Sequence, residues 1–234
     1  MTGYLEISRE RGRVSSSVSE EYGIPILTVR LCLPEGIRAR TLKQRLNRAE
    51  QILRKANVHR VIFPPRFPYR ECFRAFKAVE PLEFYRSAAD VLVLGWLECH
   101  GVDRMQGRVA LSGARLSPDL EYTARRLCPE VRGICIDVPG EEGAWFAAEL
   151  QRTYGAPAVP KGMSADLTVE FSPVGTGRLW LWGEEPYLDG LRLTAGGVKP
   201  PAEIADAVLT LLWEQGKLRR EQLRVICEKK IEEK

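Results

Sequence analysis

The residues best suited to chemistry in this chain are suited to one kind, the recognition of anions. Gly113-Ala114-Arg115-Leu116-Ser117-Pro118 follows a short apolar run over 108–112 and precedes a stretch of helical spacing. Ser117 offers a capping oxygen, Pro118 fits the first helical position and Asp119 suits the positive helix end. Ser117 therefore reads as a helix cap before it reads as a nucleophile. Helix starts gather unbonded N–H groups that favour negative charge, and Arg115 stands next to this one. Asp137 lies near the end of the next apolar run, 133–138, ahead of Pro139-Gly140; it either meets a ligand or opens a turn. A second set lies upstream in Phe63-Pro64-Pro65-Arg66-Phe67-Pro68-Tyr69-Arg70. Three prolines stiffen that loop, so it loses little entropy on binding. Planar guanidinium groups and aromatic rings are what phosphate, carboxylate or base recognition uses. Its aromatics serve either that purpose or the capping of a core below.

Other chemistries lack their residues. His59 and His100 are the two histidines, and neither stands at metal-ligand spacing from another His or a Cys pair, so no metal is expected. No Gly-x-Ser-x-Gly accompanies them. Cys99 and His100 adjoin in sequence but point different ways on a helix. No signature of catalysis is visible. The six cysteines contain no Cys-x-x-Cys and read as reduced, mostly buried thiols. MTGYLEISRE has no apolar stretch of the signal-peptide kind. The longest apolar run, 91–97, falls far short of the ~20 residues that span a bilayer. The expectation is a cytoplasmic protein with no membrane partner.

The elements that must position these residues follow from periodicity. The chain has 234 residues, 44% hydrophobic and 28% charged, with a net charge of +4. That composition is globular and excludes a disordered tail or a disulfide miniprotein. Residues 4–8, 14–18 and 24–33 read as strands. Leu42, Leu46, Ala49 and Leu53 mark an amphipathic helix over 38–56. A strand at 58–63 and helices at 70–78 and 81–100 are expected next, although 90–97 alone could also form a strand. The second half alternates: strand 108–112, helix 118–128, strand 133–138, helix 141–154, then strands 156–159, 166–171 and 178–182. Gly and Pro cluster over 194–201 as a linker. Two helices, 202–214 and 217 onward, complete the pattern.

From 108 to 171 this order resembles a Rossmann-type α/β unit. The resemblance implies parallel strands joined by right-handed crossovers, with ligands at the carboxyl ends of the strands. It covers the layout and not the glycine fingerprint, of which only Gly113 is kept. Asp137 stands where the resemblance implies a contact to a ribose hydroxyl, and NAD or NADP is the cofactor it implies. The five residues 160–164 leave strand 166–171 either parallel through a very short crossover or antiparallel.

Charge is uneven. Between Arg38 and Lys77 the acids are Glu50 and Glu71, against Arg38, Arg40, Lys43, Arg45, Arg48, Arg54, Lys55, Arg60, Arg66, Arg70, Arg74 and Lys77. Such a surface either concentrates anionic partners or solvates a helix face. In Arg178-Leu179-Trp180-Leu181-Trp182 the leucines face one way and the tryptophans the other. Trp180 and Trp182 are therefore expected at an interior position or at a partner or homo-oligomer contact.

The expected molecule is α/β: a small N-terminal sheet with a basic helix (1–104), a degenerate Rossmann-like parallel or mixed sheet (105–201), and C-terminal helices packing back (202–234). Its expected function, as a non-catalytic or degenerate Rossmann-like protein, is to bind an anionic small ligand at an inter-domain cleft. The candidate residues are Arg66, Arg70, Gly113, Arg115, Ser117 and Asp137. Two alternatives are an NAD(P)-dependent oxidoreductase with a divergent glycine loop and a nucleic-acid-associated protein using the 38–77 surface.

Overall fold

The computed structural model describes residues 1–155, 164–173, 175 and 177–228. In chain order these form β1 (Thr2–Ser8), β2 (Ser15–Glu21), β3 (Ile24–Cys32), α1 (Ala39–Lys55), β4 (Arg60–Ile62), β5 (Lys77–Ala78), α2 (Leu82–Ser87) and α3 (Ala89–Cys99). There follow β6 (Arg108–Ser112), α4 (Pro118–Leu127), β7 (Gly133–Asp137), α5 (Gly140–Tyr154), β8 (Leu167–Glu170), β9 (Leu179–Trp180), β10 (Leu191–Ala195), α6 (Ala205–Glu214) and β11 (Leu223–Cys227). The fold is mixed α/β. Among the described residues no helix is long and apolar enough to cross a membrane.

The chain divides into two units: Met1–Glu80 with Val198–Lys217, and Pro81–Gly197 with the residues from Leu218 on. This differs from the division by composition, because α2 and α3 pack with α4 and β11 rather than with the first sheet. The residues after 201 are shared between the units.

In the first unit the sheet order is β2-β3-β1-β4-β5. β1 is parallel to β3 and β4, and β4 to β5, while β2 runs antiparallel to β3. Tyr22 and Gly23 join β2 to β3 with φ of 53° and 73°, the twist that a two-residue hairpin needs. Leu46, Ala49 and Leu53 on α1 are buried with Leu5, Val29, Leu31 and Val61. Residues 70–78, expected as a helix, instead form a 3-10 turn, Arg70–Phe73, followed by β5. The turn places Phe73 in the core, and the bend that follows it adds Phe76. The stiff loop before it is likewise folded onto the core. Phe67 is 4% exposed, stacks on Phe63 at 6.0 Å and meets Tyr69 edge-on.

In the second unit β6, β7, β8 and β9 form a sheet of order β7-β6-β8-β9 in which every pair is parallel. The open question over 166–171 is thereby resolved: β8 pairs with β6, with Leu111 opposite Val169. The crossover that leads to it starts at the end of β7 and includes the whole of α5, long enough for a parallel return. The strand expected at 156–159 lies outside the described residues. The helix expected over 81–100 is broken at Ala88 into α2 and α3. The segment after 217, expected as a helix, holds a 3-10 turn and then β11, which pairs antiparallel with β10. Leu191–Ala195 is thus a strand, where the Gly/Pro cluster had suggested linker from 194.

The cysteines depart from the expectation of free thiols. Cys99 at the end of α3 and Cys227 in β11 are joined by a disulfide, with Cα atoms 6.2 Å apart. Cys32, Cys128 and Cys135 are buried and outside the disulfide, and Cys72 is exposed. Burial pushes the Cys128 thiol up to about 11, against a smaller opposite pull from Arg125. Since the thiolate is the nucleophile, an alkylating reagent at neutral pH should label Cys72 well before Cys128. Peptide mass spectrometry over time measures the two rates, and equal rates would contradict this burial.

Candidate functional site

The parallel order β7-β6-β8 has a consequence at its carboxyl edge. The chain leaves β6 toward β7 on one side and returns to β8 on the other, so the loops after β6 and β8 diverge. A crevice opens between such loops, and open α/β sheets bind ligands there. In this unit a cavity of about 280 Å3 lies at that point, lined by Arg86, Gly113, Ala114, Arg115, Ser117, Phe171 and Ser172.

Each wall has a local reason. Gly113 continues β6, its N–H donating to the Asp137 carbonyl at 3.2 Å. A Cβ there would come within 3.1 Å of the Arg115 carbonyl and 3.2 Å of Leu120, so glycine lets the loop fold back over α4. Ser117 caps α4 as its sequence indicates: its Oγ accepts from Leu120 N at 3.3 Å, with Pro118 following. Ala114 N donates to Ser172 Oγ at 2.6 Å, tying the two rims together. Leu116 N reaches the Glu142 carboxylate at 3.5 Å. The loop amides thus already attract oxygen atoms, one of them anionic.

Two guanidinium groups reach the cavity. Arg86 donates from Nε to the Leu181 carbonyl at 2.8 Å and from Nη2 to the Phe171 carbonyl at 3.2 Å. Those carbonyls fix its plane but leave its charge without a carboxylate. Arg115 is exposed and makes no hydrogen bond or ion pair among the described residues. No carboxylate side chain is among the lining residues. The cavity is therefore cationic, with one hydrogen-bonded and one exposed guanidinium and two serine hydroxyls.

Of the six residues expected from sequence, Gly113, Arg115 and Ser117 line this one cavity. Asp137 ends the neighbouring strand, paired with Ser112 in register, and is not among the lining residues. Arg66 and Arg70 belong to the first unit. Arg66 has a φ of 52°, and the Arg70 guanidinium lies 5.6 Å from the Phe63 ring centre. Arg86, Phe171 and Ser172 were not anticipated. Ser172 was within reach of sequence reasoning, since a parallel strand ending at 171 puts its next residues on the same rim. Arg86 carried no signal, because its partners lie far along the chain.

The remaining candidates have structural roles. His100 stacks on Trp96 at 3.8 Å and faces Asp189 at 4.0 Å, and Asp189 also accepts from Trp96 Nε1 at 2.8 Å. Leu179 and Leu181 are fully buried while Trp180 is 37% exposed. Trp180 stacks with Trp182, meets the Tyr187 ring at a tilt and exchanges two backbone hydrogen bonds with Tyr187, at 2.8 and 3.0 Å. The outer edge of β9 is therefore occupied by a segment of this same chain. Glu170, fully buried, accepts from Gly177 N and anchors the return from β8 toward β9. Among the described residues no cluster of His, Cys, Asp and Glu is placed to hold a metal ion.

The second unit is thus a Rossmann-like α/β layout with a cationic crevice at its switch point. No family model matches the chain, and no curated protein matches it. Among solved structures it has a likeness to L-tryptophan dehydrogenase from Nostoc punctiforme, at 15% identity and a TM-score of 0.31. The match covers 63% of this chain and 44% of that one, so the chain spans less than half of that structure's length.

The residues present do not fit a dinucleotide. Its pyrophosphate needs close backbone approach across a glycine-rich turn, and two glycines of that turn are replaced by Arg115 and Pro118. The amides of Ala114 and Leu116 are already taken by Ser172 and Glu142, and Asp137 does not line the cavity.

Proposed function

We propose that the second unit binds a small anionic ligand, such as a phosphate ester or a compact carboxylate, in the crevice between the loops after β6 and β8, without catalysing a reaction. Arg115 closes on the anion, Arg86 supplies a fixed charge, and the Ser117 and Ser172 hydroxyls donate to its remaining oxygens. The single observation that supports this reading is the convergence of two arginines without a carboxylate in a cavity of about 280 Å3 at the switch point. A charge-assisted hydrogen bond is about twice as strong as a neutral one, so Arg115 carries the largest share of affinity.

Thermal denaturation against inorganic phosphate, nucleoside phosphates, small carboxylates, NAD and NADP tests it. A ligand at tenfold its dissociation constant should add about 1.4 kcal/mol to stability. Arg115→Gln should weaken binding about tenfold or more and leave the unliganded melting temperature unchanged, since the side chain is exposed. A panel with no stabiliser, or a stabiliser indifferent to Arg115→Gln, would remove the reading. We also propose a cytoplasmic protein, a reading supported by Cys32 and Cys128, which are buried and outside the disulfide. In that compartment cellular thiols would act on the Cys99–Cys227 bond.

A further inference from the structure

The first unit has a cavity of its own that the proposed function does not use. β1 and β3 run parallel with Ser8 opposite Cys32, so their carboxyl ends reach one edge of the sheet. The segment 9–14 crosses that edge, and α1 begins shortly beyond it. Thr41, Gln44, Arg45 and Arg48 follow i, i+3, i+4, i+7 spacing and share one face of α1. With Gly12, Arg13 and Val14 they line a cavity of about 340 Å3.

Its floor is fixed by short-range contacts. Arg45 Nη1 donates to the Cys32 carbonyl, and the Cys32 thiol donates to the Arg13 carbonyl at 3.5 Å. Gly12 lies so close that a Cβ would come within 2.9 Å of Cys32 Sγ. The segment is pressed onto β3, which delivers the Arg13 side chain to the same concavity as Arg45 and Arg48. The lining offers three guanidinium groups, a hydroxyl and an amide, and contains no carboxylate. The guanidinium groups of Arg13 and Arg48 make no hydrogen bond or ion pair among the described residues, and the first turn of α1 holds no acidic residue. Like charges around one concavity repel, and an anion between them turns the repulsion into attraction.

We propose that this cavity binds a small ligand through a phosphate or diphosphate group. Arg13 and Arg48 grip its oxygens as planar forks, Arg45 adds the N–H groups not spent on Cys32, and Thr41 and Gln44 donate to what remains. A concavity of about 340 Å3 that gathers three guanidinium groups suits a compact anionic group.

Calorimetric titration of the full chain with inorganic pyrophosphate, in an Arg115→Gln background so that the second unit's crevice contributes less, tests the proposal. Binding is expected, and Arg13→Gln with Arg48→Gln should weaken it about tenfold or more for each arginine. Both side chains are exposed, so an unchanged circular dichroism spectrum and melting temperature should accompany the loss. The proposal is overturned if pyrophosphate gives no saturable heat, if the double variant binds as tightly as its parent, or if only a single-stranded RNA oligonucleotide binds.

Discussion

Arg220→Met should destabilise the second unit by about 3–5 kcal/mol, the range for leaving one member of a buried ion pair without its partner. Arg220, in the 3-10 turn before β11, pairs with Asp90 in the first turn of α3, and the two side chains are only 13% and 9% exposed. Its Nη1 also donates to the Ser87 carbonyl at 3.0 Å, and its guanidinium lies over the Tyr122 ring. Burial pulls the pKa of this arginine below its usual value, with Glu221 pulling the other way. The usual value is so high that the group stays charged at neutral pH. Methionine keeps the volume and removes the charge, stranding Asp90. Urea denaturation measures the cost. Replacing both members, Asp90→Leu with Arg220→Met, should recover most of it, because an apolar pair of similar volume needs no desolvation. A cost below about 1 kcal/mol for Arg220→Met would mean that the pair is solvated.

Gly95→Ala should also be destabilising, although alanine is about 1 kcal/mol the better helix former. Gly95 sits mid-way along α3, where β11 crosses it. A Cβ there would stand 2.3 Å from the Val225 Cβ, a separation that no side-chain rotation relieves. The strand must lift, losing packing along its length at a typical overpacking cost of about 1–3 kcal/mol. Hydrogen exchange should show the amides of 223–227 losing protection first. Gly95→Ala combined with Val225→Gly should restore stability toward that of Val225→Gly alone, the non-additivity expected of residues in contact. Gly95→Ala with unchanged stability and protection would show that β11 does not dock here.

The same contact explains where sequence reasoning stopped. Strand β6, the Ser117-Pro118 start of α4, β7 and the Gly155 stop of α5 were legible because each is decided by neighbours in sequence: apolar runs, a capping oxygen, a residue with φ of 63°. The carboxyl-end loop with Gly113, Arg115 and Ser117 was legible for the same reason. β11 was not. Leu223-Arg224-Val225-Ile226-Cys227 is a strand because it pairs with β10 and lies on Gly95, and both partners are remote in sequence. The break between α2 and α3 at Ala88 left no local mark. Nor did Arg86, whose place in the crevice depends on the carbonyls of Phe171 and Leu181. Asp137 is a different case. Its position at a strand end was read correctly, and the crevice lies on the β8 side of β6, where Asp137 is not among the lining residues.

The chain passes between the two units at three places, after Glu80, Gly197 and Lys217, and α6 belongs to the first while both cysteines of the disulfide belong to the second. Cys99 and Cys227, 128 residues apart, therefore close a covalent ring that takes in α6 as well as the parallel sheet. A protease that cuts once anywhere inside that ring leaves the polypeptide in one piece on a non-reducing gel, and two bands appear only after a reductant is added. Neither unit can be excised as an uninterrupted stretch of the gene; a coding sequence for the first alone would have to splice 1–80 to 198–217.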